Sequence, residues 1–198
     1  YESAQAGVTA QNGGARDLQN YQTEEQIRQL RDSLYDTDDQ IDEMQDNLGD
    51  LRDAGGKLSS ARDQAQAGVD AAAKMYYDKQ NEINPQIESK NQEIQQAIEN
   101  EESEENIKKL KEELGKLQAE LAGYKAAVDQ ARASVDELQS QLDSIDATKT
   151  QLKSGIDQIE NSQDTIRDNL SMAEQTYAIT QNEIYPQTDA VSAAQLQQ

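Results

Sequence analysis

From Ile107 onward the apolar residues fall at alternating steps of three and four: Ile107, Leu110, Leu114, Leu117, Leu121, Tyr124, Val128, Ala131, Val135, Leu138, Leu142 and Ile145. After a polar position at Lys149 the rhythm resumes in phase with Leu152, Ile156 and Ile159, and then with Gln163, Ile166, Leu170, Ala173, Tyr177 and Ile184. A 3-4 alternation held over about eleven heptads buries one narrow stripe of a helix against a partner helix and marks a left-handed coiled coil. The first half carries the same rhythm more weakly: Ile27, Leu30, Leu34, Thr37, Ile41, Met44, Leu48 and Leu51, then Gly55, Leu58, Arg62, Ala65, Val69, Ala72, Tyr76 and Ile83. Beyond Pro85 the phase slips, and the stripe is expected to pass to Ile87, Ile94 and Ile98. Proline lacks the backbone N–H that an inner helical turn needs, so a kink or break is expected near Asn84.

Between the two stripes no apolar residue occurs from Glu99 to Asn106. Ser103 has the chemistry of an N-cap, which places Glu104 and Glu105 in a first turn, where the helix dipole favours negative charge. The fold class predicted is therefore all-α: a long antiparallel coiled-coil helical hairpin. Its parts are an N-terminal connector over 1–21, a first arm over 22–98, a tip over 99–106, a second arm over 107–185 and a C-terminal connector over 186–198. Arms of roughly 75 residues at about 1.5 Å per residue would make a rod on the order of 110 Å long. The alternative is a shorter three- or four-helix bundle, should Gly55-Gly56 form a turn.

The phrase QNEINPQ at Gln80 returns as QNEIYPQ at Gln181, and the two copies hold both prolines of the chain. At that offset Asp63 meets Asp164, Ala72 meets Ala173, Tyr76 meets Tyr177, Leu51 meets Leu152 and Ile27 meets Val128, all in heptad register. Two explanations stay open, an internal duplication and a coincidence of helical composition; on the first, each copy would end a long helix in a bend.

Composition narrows the chemistry. Of 198 residues 34% are hydrophobic and 4% aromatic, with no Trp or Phe, so the bulky side chains of a thick core are missing. The net charge of -21 repels phosphate backbones and anionic lipid, which argues against nucleic-acid binding. No His and no Cys occur, which removes the commonest general base and metal ligand and all disulfide or thiolate chemistry, while fitting reducing and oxidising compartments alike. No apolar run spans a membrane and none reads as a signal peptide, yet the chain starts at Tyr1 rather than Met, as a fragment or processed product would.

No catalytic, cofactor-binding or metal-binding residues are expected, and no cofactor. The acidic run Asp36, Asp38, Asp39, Asp42 and Glu43 lacks the central glycine and terminal ligand spacing of a calcium loop. Tyr76, Tyr124 and Tyr177 fall on the stripe, whereas Tyr35, Tyr77 and Tyr185 are candidates for partner contact. Thr37, Gly55, Arg62, Lys149 and Gln163 interrupt the stripe where register devices belong. Asn169-Leu-Ser171 is a formal glycosylation sequon.

The segments LRDAGGKLSSARDQAQAGV and LKSGIDQIENSQDTI carry glycine within the heptads, with L-x-x-G-x-x-Q-[IL]-like spacing. Over roughly Leu51 to Ile184 the chain resembles the extracytoplasmic coiled-coil inserts of large bacterial membrane proteins. These are the ectodomains of MacB/FtsX-type ABC-transporter permeases and the YhgE/phage-infection-protein family, whose glycine heptads are often denser. The resemblance implies a non-enzymatic projecting rod at the surface of a bacterium, spacing or engaging a protein partner, anchored through segments outside this chain. Self-association through Ala-rich faces such as Ala71, Ala72 and Ala73 is a further expectation. Two other readings stay open: a soluble structural coiled coil of a filament or phage particle, and the periplasmic hairpin of a membrane-fusion adaptor.

Overall fold

The computed structural model is an all-α helical hairpin of two helices, α1 over Glu2–Glu99 and α2 over Glu104–Leu196. It describes the backbone of residues 2–196 and the side chains of residues 14–181. Helix α1 runs through Gly55 and Gly56 without interruption, so the bundle alternative does not form. Nor does α1 break at Pro85, which lies inside the helix. The segments expected as connectors fall within the bounds of α1 and α2; their side chains before Gly14 and after Gln181, with Ile184, Tyr185 and the second proline phrase, lie outside the described residues.

Two compact units divide the chain, one formed by Tyr1–Gly49 with Thr150–Gln198 and the other by Asp50–Lys149. In the first unit, Ile27, Leu30, Leu34, Thr37, Ile41, Met44 and Leu48 of α1 are all buried or half-buried. So are Leu152, Ile156, Ile159, Gln163, Ile166, Leu170, Ala173 and Tyr177 of α2. The arms are antiparallel: Arg31 reaches Glu174, Thr37 reaches Gln163 and Met44 lies over Gly155, each later residue of α1 meeting an earlier one of α2. In the second unit, Gly55 lies near Ile145 and Lys149, Arg62 reaches Gln139, and Lys90 reaches Glu113, again in antiparallel order.

Lys79 occupies the step between Tyr76 and Ile83 in the second unit, and Thr180 the step after Tyr177 in the first. Beyond Pro85 the burial passes to Ile87, Lys90, Ile94 and Ala97. Ala97 is 3% exposed and Ile98 53%, so Ile98 is not the last buried position of α1. The 3-4 spacing decides this against bulk, because Ala97 follows Ile94 by three residues and Ile98 by four after a step that was already four long.

The turn is tighter than the predicted 99–106. Helix α1 ends in a Schellman motif: the Glu102 N–H donates to the Ala97 carbonyl at 3.0 Å and the Glu101 N–H to the Ile98 carbonyl at 3.2 Å. The motif needs a left-handed residue, and Glu101 supplies it with φ of 53°. Ser103 caps α2 as expected, its Oγ accepting from the Asn106 N–H at 3.3 Å, and Glu104 and Glu105 open the first turn. A side chain at a left-handed position costs roughly 1 kcal/mol that glycine does not. Glu101→Gly is thus expected to raise the unfolding free energy by about 1 kcal/mol, and Ser103→Ala to lower it by about 1 kcal/mol. Urea melts of the two single variants check both.

Candidate functional site

The residues with most chemical character are the polar positions that interrupt the stripe, so the candidate site is built from them. Gln163 is 3% exposed, and its amide Nε2 donates to Thr37 Oγ1 at 3.0 Å and to Asp38 Oδ1 at 2.7 Å. The Thr37 hydroxyl in turn donates to the Leu34 carbonyl at 2.9 Å, so its oxygen is turned toward the amide. A buried amide with both donors used costs little, whereas sliding one helix past the other would strand it. This is the register role expected of Thr37 and Gln163.

The second unit uses cations in the same way. Arg62 Nη1 donates to Gln139 Oε1 at 2.9 Å. Gly55 leaves room for Lys149, whose Nζ lies 3.8 Å from where a Gly55 Cβ would stand and 3.7 Å from Asp146 Oδ1. Lys79 places its ammonium 5.5 Å from the centre of the Tyr124 ring while bonding Glu82 at 3.2 Å. Lys90 crosses to Glu113 at 2.8 Å and holds Glu93 of its own helix at 3.0 Å. Each long aliphatic stem covers the apolar stripe while its charged end stays at the rim.

Lys90 bonded to Glu113 holds that carboxyl below the ordinary glutamate range, and the two carboxylates raise the Lys90 ammonium above the ordinary lysine range. A lowered carboxyl stabilises the fold above its unfolded value and loses that contribution as pH falls through the folded one. A raised lysine stabilises below its unfolded value and loses it as pH rises through the folded one. Glu113→Gln is accordingly expected to be less stable than the parent at pH 7, with the gap closing as acid protonates Glu113. Denaturant melts of both proteins at neutral and acid pH measure the gap directly.

No known protein family, curated protein or solved structure matches this chain. Function must therefore be read from the arrangement itself. Among the described residues no three acidic side chains converge closely enough to hold a metal ion, and Asp36, Asp38, Asp39, Asp42 and Glu43 are exposed around one helix. Tyr76 and Tyr124 are half-buried on the stripe, as is Tyr177, whose hydroxyl donates to Glu24 Oε1 at 2.8 Å. Tyr35 and Tyr77 are exposed, Tyr35 at the edge of a shallow open groove with Ile27, Arg31, Glu174 and Tyr177. Asn169 and Ser171 are exposed on α2. Sequence reasoning missed Lys79 and Lys90 as interior positions. Their signal was the 3-4 count itself, which lands on both once hydrophobicity is not demanded of every step.

Proposed function

We propose that the chain is a non-enzymatic coiled-coil hairpin of a bacterial membrane protein, held outside the cytoplasm, where it spaces or engages a protein partner. The observation that carries this reading is how the polar groups are used. Gln163, Thr37, Arg62, Lys90 and Tyr177 all bond across the two helices and fix their alignment. None of these contacts encloses the water-shielded pocket that general acid/base chemistry needs to shift a pKa by several units. Placement outside the cytoplasm rests on the likeness of the glycine-bearing heptads to ectodomain inserts. The contact between Glu24 and Tyr177 brings the two arms of the first unit side by side, as insertion between flanking segments requires. No helix among the described residues is long and apolar enough to cross a membrane, so an anchor would come from other residues.

This chain has no cysteine, so once any cysteines elsewhere in the full-length product are replaced, one probe tests the compartment. Glu105→Cys, at an exposed position of the first turn of α2, is introduced into the full-length gene product in its native host. A membrane-impermeant maleimide is expected to label it in cells whose cytoplasmic membrane is intact. Labelling that appears only after that membrane is breached overturns the extracytoplasmic placement and favours a soluble structural coiled coil.

A further inference from the structure

We propose that Met44 is a peroxide-sensitive modification site: oxidation of its thioether to the sulfoxide loosens the helix pair of the first unit, and reduction closes it again. The chain has no cysteine, so its three methionines carry all of its sulfur. They stand in different places. Met75 and Met172 lie off the stripe and in solvent, at 55% and 61% exposure. Met44 is the one methionine on the stripe, half-buried in the run of positions from Ile41 to Leu48.

The end of Met44 is seated on Gly155 of α2. Its Cε lies 3.0 Å, and its Sδ 3.9 Å, from where a Gly155 Cβ would stand. Among the described glycines only Gly55 and Gly155 have another side chain over them, and the contact at Gly155 is the closer. The thioether thus fills a space that a missing side chain on the opposite helix leaves open, and a change at its sulfur is felt by both helices. Half-burial leaves the side chain partly open to solvent while the pair is intact, so a small oxidant reaches it without unfolding.

Hydrogen peroxide is the co-reactant. A sulfur lone pair attacks one peroxide oxygen, the S–O bond forms as the O–O bond breaks, and the departing hydroxide takes the proton of the transferred oxygen. Sulfur is oxidised by two electrons, and the peroxide is reduced to water. The product is polar and chiral where the thioether was apolar. Backbone N–H groups beside it are committed to the two helices, so the new oxygen finds water only at the rim. Moving the sulfur outward empties the seat on Gly155. Leu48 and Ile156, each 7% exposed, then lose cover at the neighbouring stripe positions. At Met75 and Met172 the same oxygen meets water at once, and the stripe stays as it was. Methionine sulfoxide reductases return the thioether, so the change is reversible. The inference holds in whichever compartment the hairpin stands.

The test treats the folded 198-residue chain with hydrogen peroxide, locates oxidised methionines by peptide mass spectrometry and follows opening by hydrogen exchange. Met75 and Met172 are expected to oxidise first and Met44 after them, with the chain still helical by circular dichroism. Once Met44 is oxidised, amides around Leu48 and Ile156 are expected to exchange about tenfold faster, the effect of one poorly satisfied acceptor in the stripe. Those around Val69 and Val128 in the second unit should keep their protection, and reductase treatment should restore the first unit. Met44→Leu conserves side-chain volume and is expected to abolish the response. Met75→Leu with Met172→Leu should leave it in place. Oxidation of Met44 only in denaturant overturns the inference, as does a Met44 sulfoxide that leaves exchange around Leu48 and Ile156 unchanged. A response that survives Met44→Leu, or protection that stays lost after the thioether is regained, overturns it equally.

Discussion

Alanine at Gly56, Gly68, Gly115 and Gly123 together is expected to stabilise the chain by about 3–4 kcal/mol. All four sit inside continuous helix, and none has a neighbouring atom within 4 Å of where a Cβ would stand. None adopts a positive φ, so nothing in the folded state requires glycine there. The gain comes from the unfolded chain, whose glycines have more conformations to lose, and each replacement contributes about 0.8–1.0 kcal/mol. The sites are far enough apart in sequence for their contributions to add. At about 2–4 °C per kcal/mol for a chain of this size, the melting temperature should rise by roughly 10 °C. Thermal melts followed by circular dichroism read this directly, and a rise below about 3 °C would mean that helix propensity does not limit stability here. Gly155→Ala is the contrasting case. Its Cβ would stand 3.0 Å from Met44 Cε, so Met44 must shift, and the gain should be smaller than at the open sites.

The glycines show how much of the molecule the sequence discloses. The stripe of α2 is visible residue by residue from Ile107 to Tyr177, because a 3-4 count over many heptads leaves one solution for which face is inside. The same count, in phase across Gly55, carried α1 through the pair of glycines that local propensity alone would have made a turn. Ser103 was legible because capping chemistry is local. Glu101 was not, since nothing in a glutamate announces a left-handed backbone; the Schellman geometry imposes it once α1 ends at Glu99. Ile98 and Ala97 exchanged roles for a related reason. Side-chain size pointed to Ile98, and the spacing from Ile94 placed Ala97 inside. The candidate site was half legible: Thr37, Arg62, Lys149 and Gln163 stood out as polar interruptions, but their partners Asp38 and Gln139 lie on the neighbouring positions of the helix and appear only when the two arms are brought together.

Ile83→Ala is expected to cost about 3 kcal/mol, a large loss for one side chain in a chain with so narrow a core. Ile83 is 2% exposed, the lowest value in the described core. It also stands where the 3-4 count fails. From Lys79 to Ile83 and from Ile83 to Ile87 two four-residue steps follow each other, one residue more than strict alternation provides. Pro85 lies within that stretch and has no N–H to offer the Asn81 carbonyl, so the local helix is short of one hydrogen bond where the stripe changes phase. Ile83 must then hold the two phases together through packing. Truncation removes its contacts and leaves a void that the surrounding side chains close only in part. Pro85→Ala should act in the opposite sense, returning up to about 3 kcal/mol by restoring the missing bond and relieving the ring's clash with the preceding turn. The double variant is expected to unfold near the parent in a denaturant melt. Hydrogen exchange sharpens the argument, because Ile83→Ala alone should open the amides around Asn81 and Ile87 before those of the stripe at Val69. Uniform loss of protection, or a cost below about 1 kcal/mol, would show that the phase change is absorbed elsewhere in α1 and that Ile83 is no more than one buried side chain among others.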